Sequence, residues 1–322
     1  MNNHNKSSYN LFTSEKVNRL TEKRTDENWL NEQLKCPDTL FVPLWQDQNL
    51  FDVSGEPKVV FLKKKGLKNF SLKELSFTLL GELNDNIYFS VSLDNYNLDI
   101  EKEFSSFGIF ASIRKYAALL NKDEASLIAY SNALNNWQKR HHFCGNCGGE
   151  TSLVLGGHRI DCSNPDCNQQ IFPRTDPAII TLVYKGDKCL IVRQPHWQPA
   201  QYALVAGFVE PGESLESAVA REIYEETGIE VTNIKYFSSQ PWPFPGSIML
   251  GFIAEAVTEK IILHDQELDD AKWVTRNEII AGLKNKSLKS PTNFSIAFRL
   301  LENWFDQDNN KKLADIILQL NK

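Results

Sequence analysis

Residues 207–229 read GFVEPGESLESAVAREIYEETGI, and the spacing of their glycines, acids and arginine decides the fold of the carboxy-terminal half. Gly207 is followed after five residues by Glu213, and after seven more by Arg221-Glu222-Ile223-Tyr224-Glu225-Glu226-Thr227-Gly228-Ile229. Ser214 is a candidate cap, Leu215, Ala218 and Val219 form an apolar stripe, and Gly228 is a stop, so the segment predicts a helix. On that helix Glu222, Glu225 and Glu226 stand at i, i+3 and i+4 and share one face. Three like charges on one face repel each other. A divalent cation relieves the repulsion, and hard carboxylate oxygens suit Mg²⁺ or Mn²⁺. The alternative, a solvated acidic face, leaves that cost without a reason.

At 322 residues the chain has room for two domains with their own cores and a small module between them. Its 42% apolar and 24% charged residues are ordinary for a soluble protein, and a net charge of −6 gives no global pull toward nucleic acid or membrane. No apolar run is long enough to span a bilayer, and the polar first thirty residues contain no secretory signal. A cytoplasmic location is the resulting expectation.

Residues 1–35 form a polar leader with weak helical patterning. An amino-terminal α/β domain is expected over 36–140. Its β-like runs are Leu40–Val42, Val59–Leu62, Phe77–Leu80 and Ile87–Val91, followed by helices over 105–119 and 122–138. Beyond Phe172 the pattern is mixed α/β: strands at 178–184, 188–193, 234–238, 248–257 and 271–274, the helix already described, and a last helix over 295–305.

Cysteines stand at 36, 144, 147, 162, 167 and 189, four clustered and two isolated, which argues for a metal site rather than a disulfide framework. Cys144-Gly-Asn-Cys147 and, after fourteen intervening residues, Cys162-Ser-Asn-Pro-Asp-Cys167 describe two knuckles joined by a hairpin, a zinc ribbon over 141–173. Four thiolates close a tetrahedral Zn²⁺ shell, so this zinc is structural, one per chain. His141, His142 and His158 are not needed as ligands.

Ten residues after Ile229 comes Ser239-Gln240-Pro241-Trp242-Pro243-Phe244-Pro245-Gly246-Ser247. Alternating prolines fix an extended backbone and hold Trp242 and Phe244 in set directions, as suits a ligand with flat rings.

The 207–229 segment resembles the Nudix box at every defining position. SQPWPFPGS resembles the SQPWPFPxS motif of the NADH pyrophosphatase (NAD diphosphatase) branch of that family, which also carries a four-Cys zinc ribbon. Phe172-Pro173-Arg174-Thr175-Asp176-Pro177-Ala178-Ile179-Ile180 is similar to the branch's YPRxDPxxI stretch, with Phe172 where tyrosine is usual. The resemblance implies an α+β protein: the amino-terminal domain, the four-Cys zinc ribbon, and over 174–322 a Nudix α/β/α sandwich with mixed sheet and a carboxy-terminal helix.

It also implies hydrolysis of NADH or NAD⁺ to AMP and nicotinamide mononucleotide, with removal of NAD caps from RNA as a related activity, and a homodimer. Metal ligands fall on Glu222, Glu226 and Glu267, with the Ala206 carbonyl contributing. Glu225 or Glu226 is the general base, and Glu213 and Arg221 support the carboxylates. Substrate-binding positions are Gln240, Pro241, Trp242, Pro243, Phe244, Pro245, Gly246 and Ser247, with Phe172 and Phe208 as ring partners and Ala297 near the carboxy terminus. On the residues alone Asp265, Asp269 and Asp270 compete with Glu267. Two alternatives are another Nudix specificity, such as ADP-ribose or a dinucleoside polyphosphate, and a zinc-ribbon RNA-binding protein with a degenerate box.

Overall fold

The short β-like runs of the amino-terminal half pair into one sheet in the computed structural model, which describes residues 6–71, 74–94, 96, 98–264, 267–307 and 312–320. The chain divides into two units: Leu11–Thr175 with Pro241–Gly246, and Met1–Asn10 with Asp176–Gln240 and Ser247–Lys322.

In the amino-terminal unit, α1 (Glu27–Lys35) precedes β1 (Leu40–Trp45), β2 (Gln48–Asp52), β3 (Lys58–Val59), β4 (Leu62–Lys63), β5 (Ser76–Leu83) and β6 (Asn86–Ser92). Then follow α2 (Ile100–Phe104), β7 (Ile109–Ala111), α3 (Ile113–Tyr116) and α4 (Lys122–Lys139). The sheet order is β3-β2-β1-β6-β5, with β4 on β1 and β7 on β2; β1 and β6 are parallel. Asn84 and Asp85, at φ 48° and 62°, make the tight turn between β5 and β6.

The run 59–62, expected as one strand, is two, because Val59 pairs with Phe51 of β2 whereas Leu62 pairs with Phe41 of β1. Of the helix expected over 105–119 only 113–119 is helical, as α3 and the 3₁₀ turn Ala117–Leu119 that follows it. Gly108 sits at φ 150°, where a Cβ would lie 2.0 Å from the Phe51 carbonyl, and 109–111 joins β2 as β7. In the leader, Phe12 and Leu20 are buried, and Asn18 exchanges backbone hydrogen bonds with Glu82.

The ribbon strands β8 (Thr151–Val154), β9 (Arg159–Cys162) and β10 (Gln170–Ile171) form an antiparallel sheet in the same unit. Gly157 lies so close to β5 that a Cβ would be 2.5 Å from Thr78 Oγ1. Gln138 Nε2 donates to both Thr78 Oγ1 and the Gly157 carbonyl, each at 2.9 Å.

The carboxy-terminal unit contains β11 (Asp176–Lys185), β12 (Lys188–Arg193), β13 (Val205–Phe208) and α5 (Leu215–Thr227). It continues with β14 (Val231–Trp242), β15 (Ser247–Ala256), β16 (Asp270–Thr275), α6 (Arg276–Asn285), α7 (Ile296–Gln307) and α8 (Leu313–Leu320). The sheet is mixed, in order β14-β15-β11-β12-β16 with β13 on β11, and β11 runs parallel to β15.

The period of two along β11 builds two apolar layers. Ile180 and Leu182 pack with Leu300, Leu301 and Trp304 of α7, while Ile179 and Val183 pack with Ala218, Val219 and Ile223 of α5. This is the expected sandwich, with α6 and α8 added to one layer. β14 extends beyond the expected 234–238 and through Pro241, because it is the edge strand, where a missing N–H breaks no interior ladder.

Candidate active site

Helix α5 begins and ends as its sequence dictates. The Ser214 hydroxyl accepts from the Ser217 N–H at 3.1 Å, and Gly228 closes the helix at φ 68°, which glycine adopts without strain. Ala218, Val219 and Ile223 anchor one face in the core. The opposite side carries Glu222 and Glu225 into a cleft of about 1100 Å³. Glu226 also lines it although the residue is only 4% exposed, and Glu267 and Ala206 complete the predicted metal-binding set along the same wall.

Gly207 sets the geometry. It lies on β13 opposite Ile179, and a Cβ there would fall 2.0 Å from the Glu222 carboxyl carbon and Oε1. The carboxylate therefore occupies the space that any other side chain would fill. Burial pushes the Glu222 carboxyl up from its ordinary range; Arg221 opposes the shift, and the charges of Glu225 and Glu267 add to it.

Arg221 holds the loop and the helix together. Its Nε and Nη2 donate to the two oxygens of Glu213 at 2.8 and 2.9 Å, and Nη1 donates to Glu222 and Glu225 at 3.0 Å each. Nη2 also reaches the Phe208 carbonyl at 3.0 Å. The forked guanidinium makes this set possible, and it holds the Glu213 carboxyl below its usual range. Glu213 accepts the Glu210 N–H as well, at 3.1 Å, which fixes the turn into the helix.

The donor set fits a hard divalent cation: carboxylate oxygens, one of them on a buried residue, beside a backbone position kept clear of a Cβ. Among the described residues only the four cysteines bring three or more ligand atoms within 4.8 Å of one another. Glu222 and Glu225 lie against Arg221, both on its Nη1. Of the competitors to Glu267, Asp269 pairs with Arg193 and Asp270 accepts from Tyr202, whereas Asp265 lies outside the described residues.

Other predicted positions are dispersed. Phe208 lines the cleft and is 60% exposed. The Gln240 amide is engaged at the start of α7, donating to the Phe294 carbonyl and accepting the Ile296 N–H, both at 2.7 Å. Ala297 is buried in the α7 core rather than in the cleft wall, and Ser247 opens β15 opposite Asp176. Pro241–Gly246 and Phe172 belong to the amino-terminal unit. There the Trp242 and Phe244 rings meet edge to face at 5.2 Å, Phe12 packs on both, and the Arg114 guanidinium lies 4.0 Å from the Phe244 ring centre. Pro243 and Pro245 flank Phe244, and Gly246 follows.

Sequence reasoning missed Gln194, Pro195, His196, Glu210, Tyr224 and His264 as cleft-lining residues. Tyr224 and Glu210 lie within the 207–229 segment itself, Tyr224 as a large ring among the acids of an outward helix face. Gln194, Pro195, His196 and His264 reach the cleft through loops without a motif.

The four ribbon cysteines fit zinc. Cys144 and Cys167 sulfurs lie 3.8 Å apart and those of Cys147 and Cys162 3.4 Å. A tetrahedron with Zn–S bonds of about 2.3 Å has edges of roughly 3.8 Å. His158 is turned away: it is buried and hydrogen-bonded to the Tyr130 hydroxyl at 2.6 Å. Cys189 is buried on β12, and burial pushes its thiol up to about 12.

A family model described as the NUDIX domain matches residues 174–294, and one described as the NADH pyrophosphatase zinc ribbon domain matches 139–172. The human NAD-capped RNA hydrolase NUDT12 is 30% identical over 338 aligned residues, covering 92% of this chain and 73% of that protein. The NAD-capped RNA hydrolase NudC of Pasteurella multocida is 34% identical over 259 residues, covering 80% of this chain and 90% of that protein. The NudC of Pseudomonas aeruginosa (strain LESB58) is 38% identical over 179 residues, 55% of this chain and 64% of that protein. With the ribbon and the box matched in this order, and likeness to NUDT12 extending over nearly the whole chain, the protein belongs to the NADH pyrophosphatase branch of the Nudix hydrolases.

Proposed function

We propose that the protein hydrolyses the central diphosphate of NADH and NAD⁺, giving AMP and the nicotinamide mononucleotide, and removes NAD caps from RNA 5′ ends. The observation that carries this reading is one cleft that gathers Glu222, Glu225, Glu226 and Glu267 beside the exposed Phe208 ring. Carboxylates for cations and a ring for a base are the two requirements of a dinucleotide diphosphate. The relatives' names, NAD-capped RNA hydrolase, point to the same substrates.

Glu222, Glu226 and Glu267, with the Ala206 carbonyl, would hold Mg²⁺ or Mn²⁺, which when bound neutralises diphosphate oxygens and acidifies a water. Glu225 or Glu226 takes the proton from the attacking water. Arg221 and Glu213 orient the carboxylates. Phe208, with Phe172, the Gln240–Ser247 segment and Ala297, is assigned to substrate binding. The ribbon's zinc plays no part in the chemistry, since four thiolates fill its shell.

Among the described residues no helix is long and apolar enough to cross a membrane. A cytoplasmic homodimer, with the boundaries 36–140, 141–173 and 174–322 given above, completes the proposal. The test is kcat/KM for NADH, NAD⁺, ADP-ribose and NAD-capped RNA in one buffer with each metal. Preference for ADP-ribose over all three NAD substrates overturns the substrate assignment. Binding of uncapped RNA with no metal-dependent hydrolysis favours the RNA-binding alternative.

A further inference from the structure

Two rings stand at the carboxy-terminal end of α5, apart from the Phe208 position. Tyr224 is 51% exposed, and its ring lies 5.8 Å from that of the exposed His264, at an interplanar angle of 34°. Both line the cleft together with Glu222, Glu225, Glu226 and Glu267.

The backbone builds this pair in. The Ile262 N–H donates to the Thr227 carbonyl at 2.9 Å, tying the segment before His264 to the end of the helix. Gly228 leaves the necessary room: a Cβ there would lie 3.1 Å from Ile262 Cβ and 3.2 Å from His264 Nε2. A helix terminus and a glycine thus fix where His264 stands relative to Tyr224, so little ordering remains to oppose stacking of a ligand.

We propose that Tyr224 and His264 form a stacking platform for the adenine ring of the substrate, toward the carboxy-terminal end of α5. Phe208 is tied to the middle of α5 through its carbonyl and Arg221 Nη2. Tyr224 is three residues further along and Gly228 seven, about 4.5 and 10 Å at 1.5 Å per residue. Glu222 precedes Tyr224 along α5, and Glu225 and Glu226 fall between Tyr224 and the Gly228 end against which His264 stands, so these carboxylates lie within the span from a single ring to a pair of rings. A dinucleotide has the same order: a monocyclic nicotinamide, a diphosphate and a bicyclic purine. The larger ring surface matches the larger base. This assignment rests on the diphosphatase reading and adds to it which side chains hold which half of the substrate.

The test is calorimetric titration of the full-length, zinc-loaded protein with AMP, nicotinamide mononucleotide and inorganic pyrophosphate, each with Mg²⁺. Tyr224→Ala is expected to raise the Kd for AMP by ~5- to 100-fold, the range for loss of one base–aromatic stack. Nicotinamide mononucleotide and pyrophosphate should bind within about twofold of wild type, since the carboxylates are untouched. Tyr224→Trp should hold AMP close to wild type, because a ring is retained, and His264→Ala should weaken AMP in the same selective way.

Unchanged AMP binding in Tyr224→Ala overturns the platform, as does selective loss of nicotinamide mononucleotide or equal weakening of all three ligands. NADH turnover by the wild type is measured separately. A wild type that binds AMP through Tyr224 but cleaves no NADH defeats the diphosphatase reading and leaves the platform standing. Normal cleavage with AMP binding indifferent to Tyr224 defeats the platform alone.

Discussion

Gly207 and Glu222 share one space: the carboxyl group of Glu222 lies where a side chain on residue 207 would begin, 2.0 Å from its ideal Cβ. Strand β13 and helix α5 can approach as they do only because one of the two residues has no side chain. The Gly207→Ala variant is expected to fold, since displacing one half-buried carboxylate disrupts little apolar packing. Its turnover should fall by about 100-fold or more, the cost of an ångström-scale misplacement at a reacting centre. Circular dichroism and steady-state kinetics on the same preparation check this; near-normal kcat would show that Glu222 need not stand there.

Arg221 bridges Glu213, Glu222, Glu225 and the Phe208 carbonyl. Lysine keeps the charge but not the planar fork, so Arg221→Lys cannot satisfy all of these acceptors. The expected loss is roughly 10- to 100-fold in activity or metal affinity, as for residues that orient metal ligands. Activity titrated against Mg²⁺ concentration separates the two effects. Full activity at ordinary Mg²⁺ would assign Arg221 to the fold alone.

His158 gives a pH dependence whose sign can be worked out. Its Nδ1 faces the Gly156 carbonyl, which can only accept, so the proton belongs on Nδ1 and Nε2 accepts from the Tyr130 hydroxyl. Burial, then the nearby Arg24 charge, pushes the ring down to about 4 from an ordinary 6.5. The neutral ring is favoured in the fold, so only the unfolded chain takes up a proton between those values. Stability from this residue is intact above about pH 6.5 and falls toward pH 4, by at most ~1.4 kcal/mol per unit. Urea denaturation across that range should show a shallower decline in His158→Gln than in wild type. Parallel curves would contradict the assignment.

Zinc removal should act on stability before chemistry. The four thiolates converge within 4.8 Å in a small three-stranded module, whereas the described residues that line the cleft belong to the carboxy-terminal unit. Chelation, or Cys147→Ser, is expected to lower the melting temperature by more than about 5 °C, as a loss of a few kcal/mol in a domain of this size does. Metal analysis of the native protein should give about one zinc per chain. An unshifted melting temperature in the zinc-free protein would contradict a structural role.

The box was legible because its signals are local. Ser214 caps, Gly228 stops, and the apolar stripe and acidic face follow from a period of 3.6. The four cysteines were equally plain, since two short spacings suffice. Where contacts distant in sequence decide, local reading fails. Residues 109–111 looked helical yet pair with β2 some sixty residues earlier, and Gly108 breaks the helix against the Phe51 carbonyl. The cleft was half legible for the same reason. Glu222, Glu225 and Glu226 announce themselves, whereas His196 and His264 arrive on loops. Gln240 shows the converse, a motif residue whose amide is engaged with the start of α7.

The central claim is that the α5 carboxylates carry the hydrolysis, and Glu226 is its most exposed point because this acid is buried at 4% accessibility in the cleft wall. Glu226→Gln preserves shape and removes the charge. The direct measurement is the rate of AMP release from NADH by this variant and the wild type at saturating Mg²⁺, with folding checked by thermal melting. The account predicts a folded variant whose turnover falls by about 100-fold or more, the range expected when a positioned base is removed. A folded Glu226→Gln protein releasing AMP at the wild-type rate would contradict it.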